Sequence, residues 1–348
     1  MSAKSKNIVT NALALGLVAG AVGLLVFKHH QSLDAAVKVR LLNVSYDPTR
    51  ELYAQLNPRF IAQYKEETGE SVGIEQSHGG SSSQARSVAE GIKAADVVTL
   101  ALPSDIDGLR ARGMVAGNWQ SLFPNRSQPY YSTIVFVVRK GNPRNIHDWM
   151  DLTGSGVEVV TPNFHTSGNG KLSMLAAWGS VINRGGTEAQ ALDLVTRIYR
   201  NVANQGEGAR DSATTFELAK AGDVQLTWEN EAIREVAESQ GELSIVYPPV
   251  SIRAEPSVAV VTPNVARHHT EAAARDYLNF LFSDAAQEIF AEDGYRPQND
   301  SILSRHRNLL PKITLFAITT IARDWNDAQE KFFGDNGIFN TIHTGATK

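Results

Sequence analysis

The chain has 348 residues, 42% of them hydrophobic and 20% charged, with a formal net charge of −4 and a pI near 6.2. That length exceeds what one hydrophobic core serves, so two lobes are expected, while the acidic balance argues against nucleic acid as a partner and gives no long-range attraction to an anion. The absence of cysteine excludes disulfide staples, thiolate zinc sites and a lipidated N-terminal cysteine.

Lys4 and Lys6 precede an uncharged stretch of 20 residues from Ile8 to Phe27, the pattern of an export signal. Ala19-Gly20-Ala21 has small residues at the right spacing for cleavage but would leave "VGLLVF" exposed, and Asp34-Ala35-Ala36 is a poorer version. At about 1.5 Å per residue the stretch reaches roughly 30 Å, enough to cross a bilayer. Residues 1–36 therefore read as an export signal or an uncleaved anchor, with the weak cleavage motif favouring the anchor and Lys4 and Lys6 on the cytoplasmic side. Either way, the remainder works outside the cytoplasmic membrane.

From Val37, "VKVRLLNVSY" predicts a strand and "DPTRELYAQLNPRFIAQYKEETG" a helix, with Asp47 as N-cap, Pro48 in the first turn and Gly69 as terminator. "SVGIEQS" predicts a short strand leading to the glycine-serine loop "HGGSSS". A helix from about Gln84 to Lys93, the strand "DVVTLAL" and a helix near Ser104 to Arg112 complete a parallel β-α-β-α-β series. A β-rich run from Ser132 to Arg139 begins a second series: strand "GVEVVTP", loop "NFHTSGNGK", helices "LSMLAAWGSVINR" and "TEAQALDLVTRIYRNV", loop "GEGARDSATTFELAKAG" and strand "DVQLTWE". "SIVYPPVSIRAEPSVAVVTP" carries the chain back, and the last third is helical. These crossings divide the chain into one lobe from residues 37–130 plus 250–348 and another from 131–249, with a cleft between them where open α/β sheets bind ligands.

Four segments face that cleft: "SYDPTR" (45–50), "HGGSS" (78–82), "HTSGNG" (165–170) and "EGARDS" (207–212). Each leads into a helix start, where unpaired backbone N–H groups and the helix dipole favour an anion. None carries the G-K-[ST] of a nucleotide-binding loop.

Together with "STIVFVVRKGNPRNIHDW", "VVTPNFHTSGNGKLSMLAAWG", "WENEA" and "AEPSVAVV", the blocks "LLNVSYDPTRELY" and "QSHGGSSSQARSV" resemble the sulfate-binding proteins of bacterial ABC uptake systems over about residues 37–335. The resemblance implies a two-lobed α/β type II periplasmic binding protein fold, each lobe a sheet flanked by helices. It implies a periplasmic monomer that holds sulfate and serves ABC permease subunits, with no cofactor and no catalysis. The implied donors are Asp47, through its backbone N–H, and Ser81 from the first lobe, then Ser167, Gly168, Asn169, Ala209 and Trp228 from the second. Asn169 stands where the family commonly has glycine.

A donor-only site suits sulfate, which carries no proton near neutral pH, and leaves the proton of hydrogen phosphate without an acceptor. Thiosulfate is the closest alternative ligand. A phosphatase or sulfatase using Ser81 as nucleophile is less supported, because the sequence places no base beside it. Asp47 is expected to cap its own helix through its carboxylate, and Arg210 either to neutralise the anion or to brace neighbouring loops. Trp119, Trp149, Trp178 and Trp325 read as packing residues, and His29-His30 and His268-His269 as solvated.

Overall fold

The computed structural model describes residues 37–342, so the export segment and His29-His30 lie outside the described residues. The first lobe is built on β1 (Val39–Tyr46), α1 (Arg50–Thr68), β2 (Val72–Gly79), α2 (Ser81–Ala89), β3 (Val97–Leu100) and α3 (Pro103–Ala111). The chain then crosses to β4 (Ile134–Arg139), β5 (Val159–Val160), α4 (Gly168–Ile182), α5 (Glu188–Arg200), β6 (Val202–Asn204), α6 (Ala209–Glu217), β7 (Val224–Trp228), α7 (Glu229–Glu238) and β8 (Leu243–Val246). It returns through β9 (Ser257–Val260) to α8 (Glu271–Phe280) and α9 (Asp284–Glu292).

The two sheets run in the orders β9-β3-β1-β2 and β6-β5-β7-β4-β8. In the first, β1 pairs parallel with β2 and β3, and the returning β9 closes the edge antiparallel to β3. In the second, β5 pairs parallel with β6 and β7, while β4 lies antiparallel between β7 and β8. Buried β-branched and aromatic residues explain the sheets: all four residues of β3 and of β9 are buried, as expected of strands covered on both faces. The carboxyl ends of β1, β2 and β3 face the second lobe and place their following helices there.

Helix starts differ from the sequence expectation in three places. Asp47 is not a cap: it opens a 3-10 turn, Asp47–Thr49, whose N-cap is Tyr46 with no side-chain bond. α2 begins at Ser81 rather than near Gln84, and α4 begins at Gly168 rather than Leu172. Residues 209–217, read as loop, form α6. Threonines and flanking glycines give that stretch weak intrinsic helicity; burial of Ala209, Ala213 and Phe216 supplies what propensity does not.

The C-terminal segment, expected in the first lobe, also contacts the second. Thr314–Phe316 pairs with Val250–Ile252, and Phe332 and Phe339 pack on Trp178 of α4 at 5.2 and 5.8 Å between ring centroids. Asn326 nevertheless donates to Asp107 of α3 at 2.8 Å, so the segment straps both lobes. The tryptophans expected to pack are buried, with Trp119 Nε1 donating to Asp107 and Trp149 Nε1 to the Val250 carbonyl. His268 is not simply solvated: its Nδ1 lies 2.9 Å from the buried Asp96 carboxylate. A buried ion pair ties α7 to the returning chain, with Arg296 Nε and Nη2 donating to both oxygens of Glu229 at 2.6 and 2.7 Å.

Candidate functional site

The four segments singled out in the sequence meet in one seam between the lobes. Gly80 faces the backbone of the second lobe so closely that a Cβ on it would lie 2.5 Å from the Thr166 carbonyl oxygen and 3.1 Å from that of Glu207. A Cβ on Gly168 would lie 2.5 Å from the Ala101 side chain and 3.3 Å from that of Ser81. One on Gly208 would overlap the Asp47 carboxylate. Gly80 (φ −56°) and Gly208 (φ −148°) have backbone angles open to any residue, so it is the close approach of the lobes that demands glycine. The lobes are closed on each other, with Ser83 N–H donating across the seam to the Thr166 carbonyl at 3.4 Å.

Into this seam run the starts of α2, α4 and α6, with N-caps Gly80, Ser167 and Gly208, and none of the three receives a side-chain capping bond. Thr187, Ser283 and Asn299 cap α5, α9 and Asp300–Arg305, while α1, α3, α7 and α8 also start without a side-chain cap, so it is the convergence of the three starts that marks the seam. The cleft helices therefore keep first-turn N–H groups available, each start carrying about half a positive charge.

Each residue named from the sequence lies at this seam. Asp47 follows the carboxyl end of β1, and its carboxylate rests against Gly208 instead of capping. Burial is the main influence that lifts that carboxyl above its usual range, partly offset by Arg50 and Arg210. Ser81 is buried, but its hydroxyl donates to Asp105 Oδ2 at 2.6 Å and accepts from Ala101 N–H at 3.0 Å, which leaves its backbone N–H for the cleft. Ser167 and Trp228 are 3% and 1% exposed, and neither the hydroxyl nor the indole N–H has a hydrogen-bond partner among the described residues. Trp228 packs on Tyr46 of the first lobe, with 5.3 Å between ring centroids.

The Asn169 side chain points away from the seam: Nδ2 donates to the Leu226 carbonyl at 3.3 Å and Oδ1 accepts from Ser173 at 3.3 Å. Its bulk is thereby accommodated, and the backbone N–H stays in the first turn of α4. Ala209 is the first residue of α6 and is buried.

Sequence reasoning missed the scaffold beneath the loops. Gln84, on α2, donates to the carbonyls of Ser45 and Ser77 at 3.0 and 2.9 Å, tying the ends of β1 and β2 together. Thr49 bonds Ser45 at 2.6 Å and lies 3.4 Å from His78 Nδ1. Burial first, then Arg50, lowers the His78 pKa to about 4, so this imidazole is neutral through the physiological range.

Two cations at the seam, Arg210 and Lys171, are paired with carboxylates of the facing lobe, while Arg50, near enough to act on Asp47 and His78, has no such pair among the described residues. Arg210 bonds Glu51 of α1 across the seam and Glu231 on its own side, the latter at 2.6 Å. Burial opposes its charge, but Glu231 and Glu51 outweigh that and hold it above the ordinary arginine value. Lys171 lies 3.7 Å from Asp105 and donates to Gln329 at 2.9 Å. The bracing reading of Arg210 is the one its contacts bear out.

Such a seam can hold a small anion by uncharged donors from both lobes, with two cross-lobe ion pairs at its edges. Residues 42–296 match the bacterial extracellular solute-binding protein family. The chain is 46% identical to a sulfate-binding protein of Salmonella typhimurium over 88% of this chain and 94% of the relative. It is 44% identical to a thiosulfate-binding protein of Pseudomonas aeruginosa over 87% and 92%, respectively. Among solved structures, the sulfate-binding protein SubI of Mycobacterium tuberculosis superposes with a TM-score of 0.77 at 30% identity, covering 85% of this chain and 99% of SubI.

Proposed function

The chain belongs to the bacterial extracellular solute-binding protein family, and from that premise we propose that it captures sulfate between its lobes and hands it to an ABC permease. The observation that carries this reading is the convergence of three helix starts without side-chain caps, while the neighbouring Lys171 and Arg210 are engaged by carboxylates. A fully ionised tetrahedral dianion uses every such donor. Hydrogen phosphate leaves its own proton unpaired in the same seam, at a cost of about 1–3 kcal/mol or more. About seven donors at ~1.5–3 kcal/mol each give roughly 10–20 kcal/mol gross, from which lobe closure and ordering subtract. Affinity in the micromolar range or tighter is within that balance.

Asp47, Ser81, Ser167, Gly168, Asn169, Ala209 and Trp228 are the proposed contacts. The protein acts as a carrier rather than an enzyme, outside the cytoplasmic membrane. Ile8 to Phe27 would tether it there; mass spectrometry of the native membrane fraction separates a tethered chain, with intact N-terminus, from a free one starting near residue 37. Thiosulfate is the second reading, supported by the 44% identity to a thiosulfate-binding relative, and competition between the two anions ranks them.

Trp228→Phe keeps an aromatic ring beside Tyr46 but removes the indole N–H together with the volume of the second ring. Sulfate binding is expected to weaken by about 1.5–3 kcal/mol or more, and the cavity left in a buried site to lower stability by about 1–3 kcal/mol. Wild-type affinity in this variant, read by titration calorimetry, would make Trp228 a packing residue and remove it from the site.

A further inference from the structure

The two edges of the seam carry opposite charge. On one side a groove of about 410 Å³ between α2 and α3 is lined by Arg86, Arg112 and Lys171, with Asp105 as its carboxylate. On the other a groove of about 330 Å³ is lined by Glu51, Glu231, Glu238, Glu292 and Asp293, with Arg234 as its cation. Both adjoin the candidate site. The basic edge reaches it through Asp105, which accepts from the Ser81 and Ser82 hydroxyls at 2.6 and 3.0 Å. The acidic edge reaches it through Pro48 and Glu231, next to Asp47 and close behind Trp228.

On the basic side, Lys171 is engaged by Asp105 and Gln329. Arg86 and Arg112 are exposed, and among the described residues neither guanidinium is tied to a carboxylate. Both stand on the first lobe, so their position relative to Ser81 does not depend on closure. The loop carrying Ser167 feels the same charges: after burial, Lys171 and Arg86 are what hold the His165 imidazole below its ordinary range.

We propose that a dianion enters and leaves the cleft by the edge bearing Arg86 and Arg112, and that these two arginines form a collecting vestibule that gives local attraction to an anion on a chain of net charge −4. The inference rests on the reading of the seam as an anion site. A focused positive patch raises the encounter rate of an anion and loses that effect as salt screens it, whereas contacts in the closed seam govern escape. The acidic edge repels the same anion, which makes the route one-sided.

Stopped-flow tryptophan fluorescence with sulfate tests this on the full chain. In R86Q/R112Q, association at low ionic strength is expected to slow by roughly threefold to tenfold with dissociation unchanged. Wild-type association should fall with added salt more steeply than that of the variant. Glu292→Gln on the opposite edge should change association less than twofold. Equal association rates in wild type and double variant, a loss confined to dissociation, or an equal response to Glu292→Gln would overturn the vestibule. Absence of any sulfate binding to the wild type by calorimetry would overturn the anion site itself, and the vestibule with it.

Discussion

Gly80→Ala is expected to lower sulfate affinity by about a thousandfold or more while leaving the unfolding of the ligand-free protein nearly unchanged. The added methyl carbon would stand 2.5 Å from the Thr166 carbonyl oxygen and 3.1 Å from that of Glu207, both rigid backbone of the opposite lobe. Relief requires the lobes to part by several tenths of an ångström or more, which stretches hydrogen bonds from the second lobe past their useful range. Losing two or three charge-assisted donors at ~1.5–3 kcal/mol each is worth about 4 kcal/mol or more, hence the thousandfold. Within its own lobe alanine is tolerated, because Gly80 has φ −56° and ψ 132°. Calorimetry and thermal unfolding together read the result. Normal affinity in the variant would mean that ligand binding does not need this degree of closure.

Arg296→Met tests the frame that holds Trp228. Arg296 and Glu229 are 2% and 0% exposed, paired through two short hydrogen bonds, and Arg296 also donates to the Pro311 carbonyl at 2.8 Å. Removing the cation leaves the Glu229 carboxylate buried without its partner, which costs about 3–5 kcal/mol of stability. Glu229 directly follows Trp228, so the same lesion loosens the indole. Chemical denaturation is expected to show a loss of that size, and E229Q/R296M to recover a good part of it. A loss under about 1 kcal/mol would indicate that water reaches the pair.

Alternating buried strands and the terminator Gly69, which has φ 74°, were legible in the sequence because they depend on neighbours within a few residues. So were the four anion-type segments, whose glycines and serines have local meaning. The length of α6 was not, since Ala209, Ala213 and Phe216 gain their helical state from tertiary burial. Nor was the reason for Gly80 and Gly208: a turn glycine and a seam glycine look alike until the opposite backbone is present. The Ser81 hydroxyl reads as a ligand donor until Asp105, 24 residues on, accepts its hydrogen bond. Likewise Asp47 reads as a cap from its place before Pro48, and the fold instead sets its carboxylate against the second lobe. The C-terminal segment carries no local sign that Phe332 and Phe339 will find Trp178.

The central claim is that uncharged donors, not a titrating or cationic side chain, select the ligand. Titration calorimetry of residues 37–348 with sulfate and with phosphate from pH 6 to 8 tests it most directly. His78, with its pKa lowered to about 4 by burial and then Arg50, stays neutral across that range and adds no pH dependence. Sulfate affinity should be level throughout, and hydrogen phosphate should bind at least about a hundredfold more weakly, the cost of two or so unpaired hydrogen-bonding groups. Equal affinity for the two anions, or sulfate binding that fades as the pH rises from 6 to 8, would contradict a site built only of donors.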